Sequence, residues 1–172
     1  MNFEMAGEMA EAEGIKVASV LVNDDVAVED SLYTTGRRGI AGTVFVHKIA
    51  GAKAEAGGTL EDVKAVAEKV IKNTRSMGMA LTPCIVPAAG KPTFTLAEDE
   101  MEIGMGIHGE PGTKRTHIMK ADELVDHLMD KIINDIPYKS GDEVAVMING
   151  LGATPLMEQF IMNRRVSQIL KE

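Results

Sequence analysis

The chain has 172 residues, 26 acidic and 18 basic, for a formal charge of −8, with two Tyr, four Phe and no Trp. No block of five or six basic residues occurs, and so few aromatics leave little for stacking on bases, so nucleic acid is excluded as a partner. Cys84 stands alone, which rules out an intrachain disulfide or a Cys-based zinc cluster.

No apolar run reaches transmembrane length, and the N-terminus lacks a basic region followed by an apolar core, so a soluble, reducing, cytoplasmic setting and no membrane partner are expected. The length suits one domain or two incomplete ones. The 12 Met are expected to fill irregular core gaps.

Met1, Met5, Met9 and Ala12 recur at helical spacing and predict a helix over 1–13, stopped by Gly14. Residues 16–23 are a nearly continuous apolar run, the pattern of a strand buried on both faces. Asp24 and Asp25 follow at the strand's C-terminal edge, where α/β sheets place ligands; Asp also favours such a turn on its own account. After a loop over 26–36, residues 40–56 space as a helix, with His47 on its face and no metal-ligand partner four residues away. Gly57 and Gly58 break it. Thr59 then opens a further helix as N-cap, with Asp62 at the third position in a near capping box and an apolar stripe of Leu60, Val63, Val66, Ala67, Val70 and Ile71.

Residues 77–86 look extended, with Pro83 confining them to an edge or a strand end. Cys84 there is expected as a small buried apolar residue rather than a nucleophile. Pro87 to Pro92 holds two prolines and a glycine and marks a domain boundary. A strand is expected over 100–107 and a helix over 121–136, with Leu124, Leu128, Ile132 and Ile136 as its stripe and His127 solvated. A second buried strand is expected over 143–149, followed by a helix with Thr154 as N-cap and Pro155 at its first position, running to Glu172. A helix under way at Met1 and another without a C-cap at Glu172 suggest a piece of a longer protein. The alternation of helix and strand predicts an α/β fold: two partial α/β domains, 1–86 and 87–172, with helices packed on largely parallel or mixed sheets.

The stretch that organises the chain runs from Glu100 to Gly112. Gly104, Gly106 and Gly109 clear side-chain bulk around His108, so that another group can approach closely. Gly104 to Gly109 matches G-x-G-x-x-G after a strand, but the dinucleotide reading needs a helix to begin among the glycines. Glu110-Pro111-Gly112 forces a turn instead and adds a negative charge, so an oxidoreductase function is set aside. Gly150-Leu151-Gly152 is a short anion cradle without a Lys, equally well read as a tight strand-to-helix turn. His108 is expected to face a small pocket and do chemistry there; the alternative is a histidine held in a turn by backbone bonds.

Five long blocks, MNFEMAGEMAEAEGI, VNDDVAVEDSLYTTGRRGIAGTVFVHKIAGA, SMGMALTPCIVPAAGKPTFTL, EDEMEIGMGIHGEPG and GDEVAVMINGLGATPLMEQFIMNR, resemble the dihydroxyacetone-binding K subunits of dihydroxyacetone kinases over nearly the whole chain. The resemblance implies a two-domain α/β subunit of a phosphotransferase. In it, the histidine of the I-H-G-E-P-G segment, His108 here, adds through its imidazole to the ketone as a hemiaminal. Glycerol, without a carbonyl, is refused by the reaction itself. The resemblance further implies ATP or ADP with Mg on a separate L subunit, recharged in one branch by a phosphotransferase-system protein. It implies no cofactor or metal on this chain, and a homodimer of the full-length subunit.

The family's glycine-rich substrate loop, second active-site histidine and N-Y-x-G-D aspartate have no counterpart in this sequence; the aspartate would precede Met1. Kinase turnover is therefore not expected of this chain alone. A non-catalytic relative that binds a transcription regulator is the alternative the resemblance leaves open.

Overall fold

The computed structural model describes residues 2–29, 36–83, 85 and 87–172. Cys84 and parts of the 26–36 loop and of the 77–86 segment lie outside them. Five helices and three strands are described: α1 Asn2–Ala12, α2 Gly42–Glu55, α3 Leu60–Lys72, β1 Met79–Ala80, β2 Glu100–Ile103, β3 Lys114–His117, α4 Ala121–Asp135 and α5 Leu156–Ile169. They fall into two compact units that interleave along the chain: Met1–Asp24 with Gly39–Thr74, and Asp25–Arg38 with Arg75–Glu172. No described helix is long and apolar enough to cross a membrane.

In the first unit α2 and α3 pack through Val46, Ala50 and Ala67, with Val22, Val63, Val70 and Ile71 against them. The stripe predicted for α3 is thus the buried one, apart from Leu60, which is exposed. Its capping box forms as expected: the Asp62 N–H donates to Thr59 Oγ1 and the Thr59 N–H to Asp62 Oδ2, both at 3.2 Å.

The start of α2 is capped from a distance. Its N-cap residue, Ala41, has no side chain to offer. Instead the buried carboxylate of Asp24 accepts the N–H groups of Ile40 and Gly42, each at 2.9 Å. An anion at a helix N-terminus is favoured by the helix dipole as well as by the orphan donors. A Cβ on Gly42 would lie 2.5 Å from Asp24 Cγ, so this approach requires glycine. Asp24 is therefore neither an ordinary exposed turn residue nor a ligand-facing one, but a buried cap.

In the second unit β1, β2 and β3 form one antiparallel sheet in that order, with Met79 opposite Ile103, and Glu100 opposite His117. The mixture of helix and sheet is the one expected; the pairing is not. Among described residues parallel pairing is confined to the single bridge between Asp25 and Ser76. Residues 16–23 and 143–149, expected as buried strands, carry no strand assignment and are mostly exposed, Leu21 at 67% and Val146 at 47%. A parallel strand needs a partner brought by a crossover from far along the chain, and no described segment supplies one.

The core of this unit is Met101, Ile103 and Leu124, with Met77, Met79, Met119, Leu128 and Met162 packed on it. Met does fill this core, as its flexible thioether suits. Met5, Met9 and Met157 do not: they are exposed, as are Phe3 on α1 and Leu156 and Phe160 on α5. Within α4, His127 is half-buried rather than solvated. At α5 the N-cap is Pro155, without a side-chain bond, rather than Thr154. The 149–155 segment is a turn, its Thr154 N–H donating to the Gly150 carbonyl at 3.0 Å.

Candidate active site

β2 is the central strand of its sheet, with Met101, Glu102 and Ile103 all buried. It ends at residue 103, four residues earlier than the sequence pattern suggests, because Gly104 takes a left-handed conformation (φ 76°) that turns the chain out of the ladder. The chain re-enters the sheet as β3, so the segment between them is a hairpin loop with His108 at its exposed end. The polar sequence of β3, Lys114–His117, carries no apolar alternation and gives no strand signal of its own. No helix begins among the glycines; the next is α4.

The loop closes on itself. The Gly106 N–H donates to the Glu110 carbonyl, and the Gly109 N–H to the Gly106 carbonyl, both at 3.1 Å. Glu110 then folds its side chain back under the turn. Oε2 accepts the His108 N–H at 2.9 Å, while Oε1 lies 3.1 Å from His108 Nδ1. The carboxylate occupies the space a side chain on residue 106 would need: a Cβ there would fall on Glu110 Oε2. The His108 ring stays 81% exposed, against 24% for the Glu110 side chain. Partial burial pushes the Glu110 carboxyl up, but its bonds from its own backbone and from the ring and backbone of His108 outweigh this and hold it below the usual range.

The base of the loop is tied to a buried arginine. Arg38 Nε donates to Asp25 Oδ2 at 2.7 Å, Nη2 to the Gly104 carbonyl at 2.6 Å and Nη1 to the Pro111 carbonyl at 3.3 Å. The two carbonyls are those at the entry and exit of the loop. Asp25 is fully buried, and its other oxygen accepts the Ala27 N–H at 2.9 Å. Asp25 thus makes the turn expected of it, through the Ala27 N–H, and is at the same time the buried counter-charge of Arg38. Glu102 braces the exit: it accepts the Gly112 N–H at 3.0 Å and pairs with Arg115 at 3.1 Å.

Of the residues singled out from sequence, only His108 is in this arrangement as a presented side chain. His47 lies exposed on α2. The sequence pattern does not mark Arg38 or Glu110 as site residues. For Glu110 a signal existed: two residues after a histidine, in a glycine-rich turn, a carboxylate can curl back to both ring and backbone. For Arg38 none did, because its contacts lie 66 and 73 residues away. Among the described residues no group of three or more His, Cys, Asp or Glu could hold a metal ion. A concavity in the first unit, lined by Glu11, Ile15, Lys16, Leu60 and Lys64 among others, contains none of the loop residues.

The Dak1 domain model matches residues 1–172, and the chain belongs to that family. It is 54% identical over 171 residues to the PTS-dependent dihydroxyacetone kinase 1, dihydroxyacetone-binding subunit DhaK, of Listeria innocua, covering 99% of this chain and 52% of that protein. Among solved structures, the dihydroxyacetone kinase operon co-activator Dha-DhaQ superposes with a TM-score of 0.88 at 33% identity, covering 98% of this chain and 52% of that one. The dihydroxyacetone kinase from C. freundii in complex with AMP-PNP and Mg2+ superposes with a TM-score of 0.83 at 37% identity, covering 96% and 30%. The chain thus spans about half the length of the curated DhaK relatives it matches.

Proposed function

We propose that this chain is the substrate-anchoring part of a dihydroxyacetone-binding kinase subunit, and that His108 holds dihydroxyacetone covalently. The observation that carries the reading is the ring of His108, 81% exposed at the end of a turn whose every flank is fixed by hydrogen bonds. A neutral imidazole nitrogen there can approach a ketone without moving the backbone. Its lone pair forms the N–C bond, the carbonyl π pair moves to oxygen, and that oxygen takes a proton. The ring loses its own remaining N–H proton, leaving a neutral hemiaminal. A polyol without a carbonyl cannot make the bond, which separates dihydroxyacetone from glycerol more sharply than shape would. The bound ketose then offers a hydroxyl for phosphoryl transfer, where positioning does much of the work.

The nucleotide and Mg belong to a partner L subunit in this reading, in keeping with the AMP-PNP and Mg2+ named for the C. freundii kinase. The proposal extends to a homodimer of the full-length subunit, which rests on the resemblance, and to a cytoplasmic setting and a division at residues 86/87, which rest on the sequence pattern. Intact-protein mass spectrometry of the full-length subunit tests the anchor. With dihydroxyacetone present, the mass rises by one molecule; His108→Ala loses the increase and His117→Ala keeps it. An adduct that survives in His108→Ala overturns the assignment.

A second reading has its own support in the likeness to the operon co-activator: a regulatory module that uses the same fold to engage a transcription regulator. The 54% identity to a kinase subunit, against 33% to the co-activator, favours the kinase. A regulator-binding module would bind its partner with His108 replaced by Ala as well as without the change.

A further inference from the structure

We infer that Glu110 is the positioning residue for His108: it fixes the ring tautomer that leaves Nε2 bare for attack, and it accepts the Nδ1 proton as the adduct forms. The inference rests on the hemiaminal reading above. A carboxylate is an acceptor only, so a ring nitrogen facing it carries the hydrogen. With Oε1 3.1 Å from Nδ1, the proton sits on Nδ1 and the lone pair on Nε2. No hydrogen bond to Nε2 comes from any described residue, and the side chain as a whole is 81% exposed.

The carboxylate cannot drift away from this task. Its second oxygen is committed to the His108 N–H at 2.9 Å, and the space it fills is kept free by the missing side chain of Gly106. One residue therefore fixes both the backbone and the ring of the nucleophile.

The chemistry needs an acceptor at that position. Attack by Nε2 on the ketone carbon forms the N–C bond and breaks the carbonyl π bond, which would leave an imidazolium and an alkoxide. The alkoxide oxygen gains a proton from water. The neutral product requires Nδ1 to release its own, and Glu110 Oε1 is the group in line to take it before passing it to solvent. Until then the carboxylate opposes the positive charge that develops on the ring.

Glutamine is the informative replacement because it keeps the shape and loses one acceptor. If its oxygen stays on the His108 N–H, its NH2 faces Nδ1 and favours the opposite tautomer, with Nε2 protonated. If it turns over, its NH2 meets the backbone N–H instead. Either way one of the two bonds is lost.

The test has two readouts on the full-length subunit. Nitrogen-15 NMR of the histidine rings, without dihydroxyacetone, reports the tautomer. Expected is Nδ1–H for His108 in the unchanged protein, and a shift toward Nε2–H in Glu110→Gln. Mass spectrometry with dihydroxyacetone reports adduct formation, expected to slow by about 100-fold or more in Glu110→Gln and Glu110→Ala, since a positioned proton acceptor contributes about 10²- to 10⁴-fold. Asp99→Ala, which removes the carboxylate beside His117, should leave both readouts unchanged. Unshifted amide signals for Met101 and Ile103 in Glu110→Gln show that the strand beneath is intact. Nε2–H in the unchanged protein, or unaltered adduct rates in both variants, overturns the inference. Absence of adduct in the unchanged protein overturns the hemiaminal and with it the proton-accepting role; the tautomer, read without ketone, identifies that failure separately.

Discussion

Two histidines among the described residues face a carboxylate through Nδ1, and they differ in how that carboxylate is held. His117 on β3 lies 2.9 Å from Asp99, and His108 lies 3.1 Å from Glu110. Both rings are more than four-fifths exposed. By distance alone His117 has the better pair. Yet Asp99 is itself 71% exposed and free to leave, whereas Glu110 is pinned by a second bond to the backbone and seated over a glycine. An exposed ion pair contributes little and is easily exchanged for water. What sets the His108 contact apart from the His117 one is the restraint on the carboxylate, and that restraint leads back through the loop to Arg38.

The comparison is broken most severely by removing that brace. Arg38→Met should strip the Gly104 and Pro111 carbonyls of their donor and leave the buried Asp25 carboxylate without its guanidinium. Breaking one side of a buried pair costs about 3–5 kcal/mol, so chemical denaturation should show a fall of that order together with loss of the His108 adduct. Retained stability and adduct would mean that the turn holds its shape without help.

An intermediate effect is expected at the neighbouring arginine. Arg37 binds Asp135 through two bonds of 2.8 Å, and Arg75 converges on the same carboxylate. The Arg37 bonds hold the Asp135 pKa down at about 2, from 3.8, against the opposing effect of partial burial. A carboxyl depressed in the folded state contributes stability above its unfolded pKa and loses it as pH falls through the folded one. The stability of the protein should therefore decline between about pH 4 and pH 2 through this group, and Asp135→Asn should flatten that part of the curve. Hydrogen exchange of α4 across this range measures it; an equally steep acid limb in Asp135→Asn would rule the group out. The smallest effect belongs to the looser histidine pair: Asp99→Ala should change stability by less than about 0.5 kcal/mol.

Much of this architecture can be read from residues that act locally. The Thr59–Asp62 box and the stripe of α3 are visible because their partners lie within one or two turns, and α4 follows from Leu124 and Leu128 in the same way. What escapes is whatever depends on distant partners. Residues 16–23 have the composition of a buried strand and nothing described to pair with. The strand β3 has a polar sequence and becomes a strand because β2 offers it a ladder. The glycines around His108 mark its turn, but the space they clear is filled by Glu110 and Ala27, and the ring is exposed rather than set in a small pocket. The support beneath it is not legible. Asp25 reaches Arg38 across 13 residues and Arg38 reaches Gly104 across 66, with no spacing rule to connect them.

The Arg38 contacts also limit how far the histidine loop can be transplanted. A synthetic peptide copying residues 103–112 would retain the glycines and the His108–Glu110 pair, but its two ends would have no common donor to gather them. Grafting the loop onto an unrelated scaffold would require a buried guanidinium, with its own counter-charge, aimed at both stems.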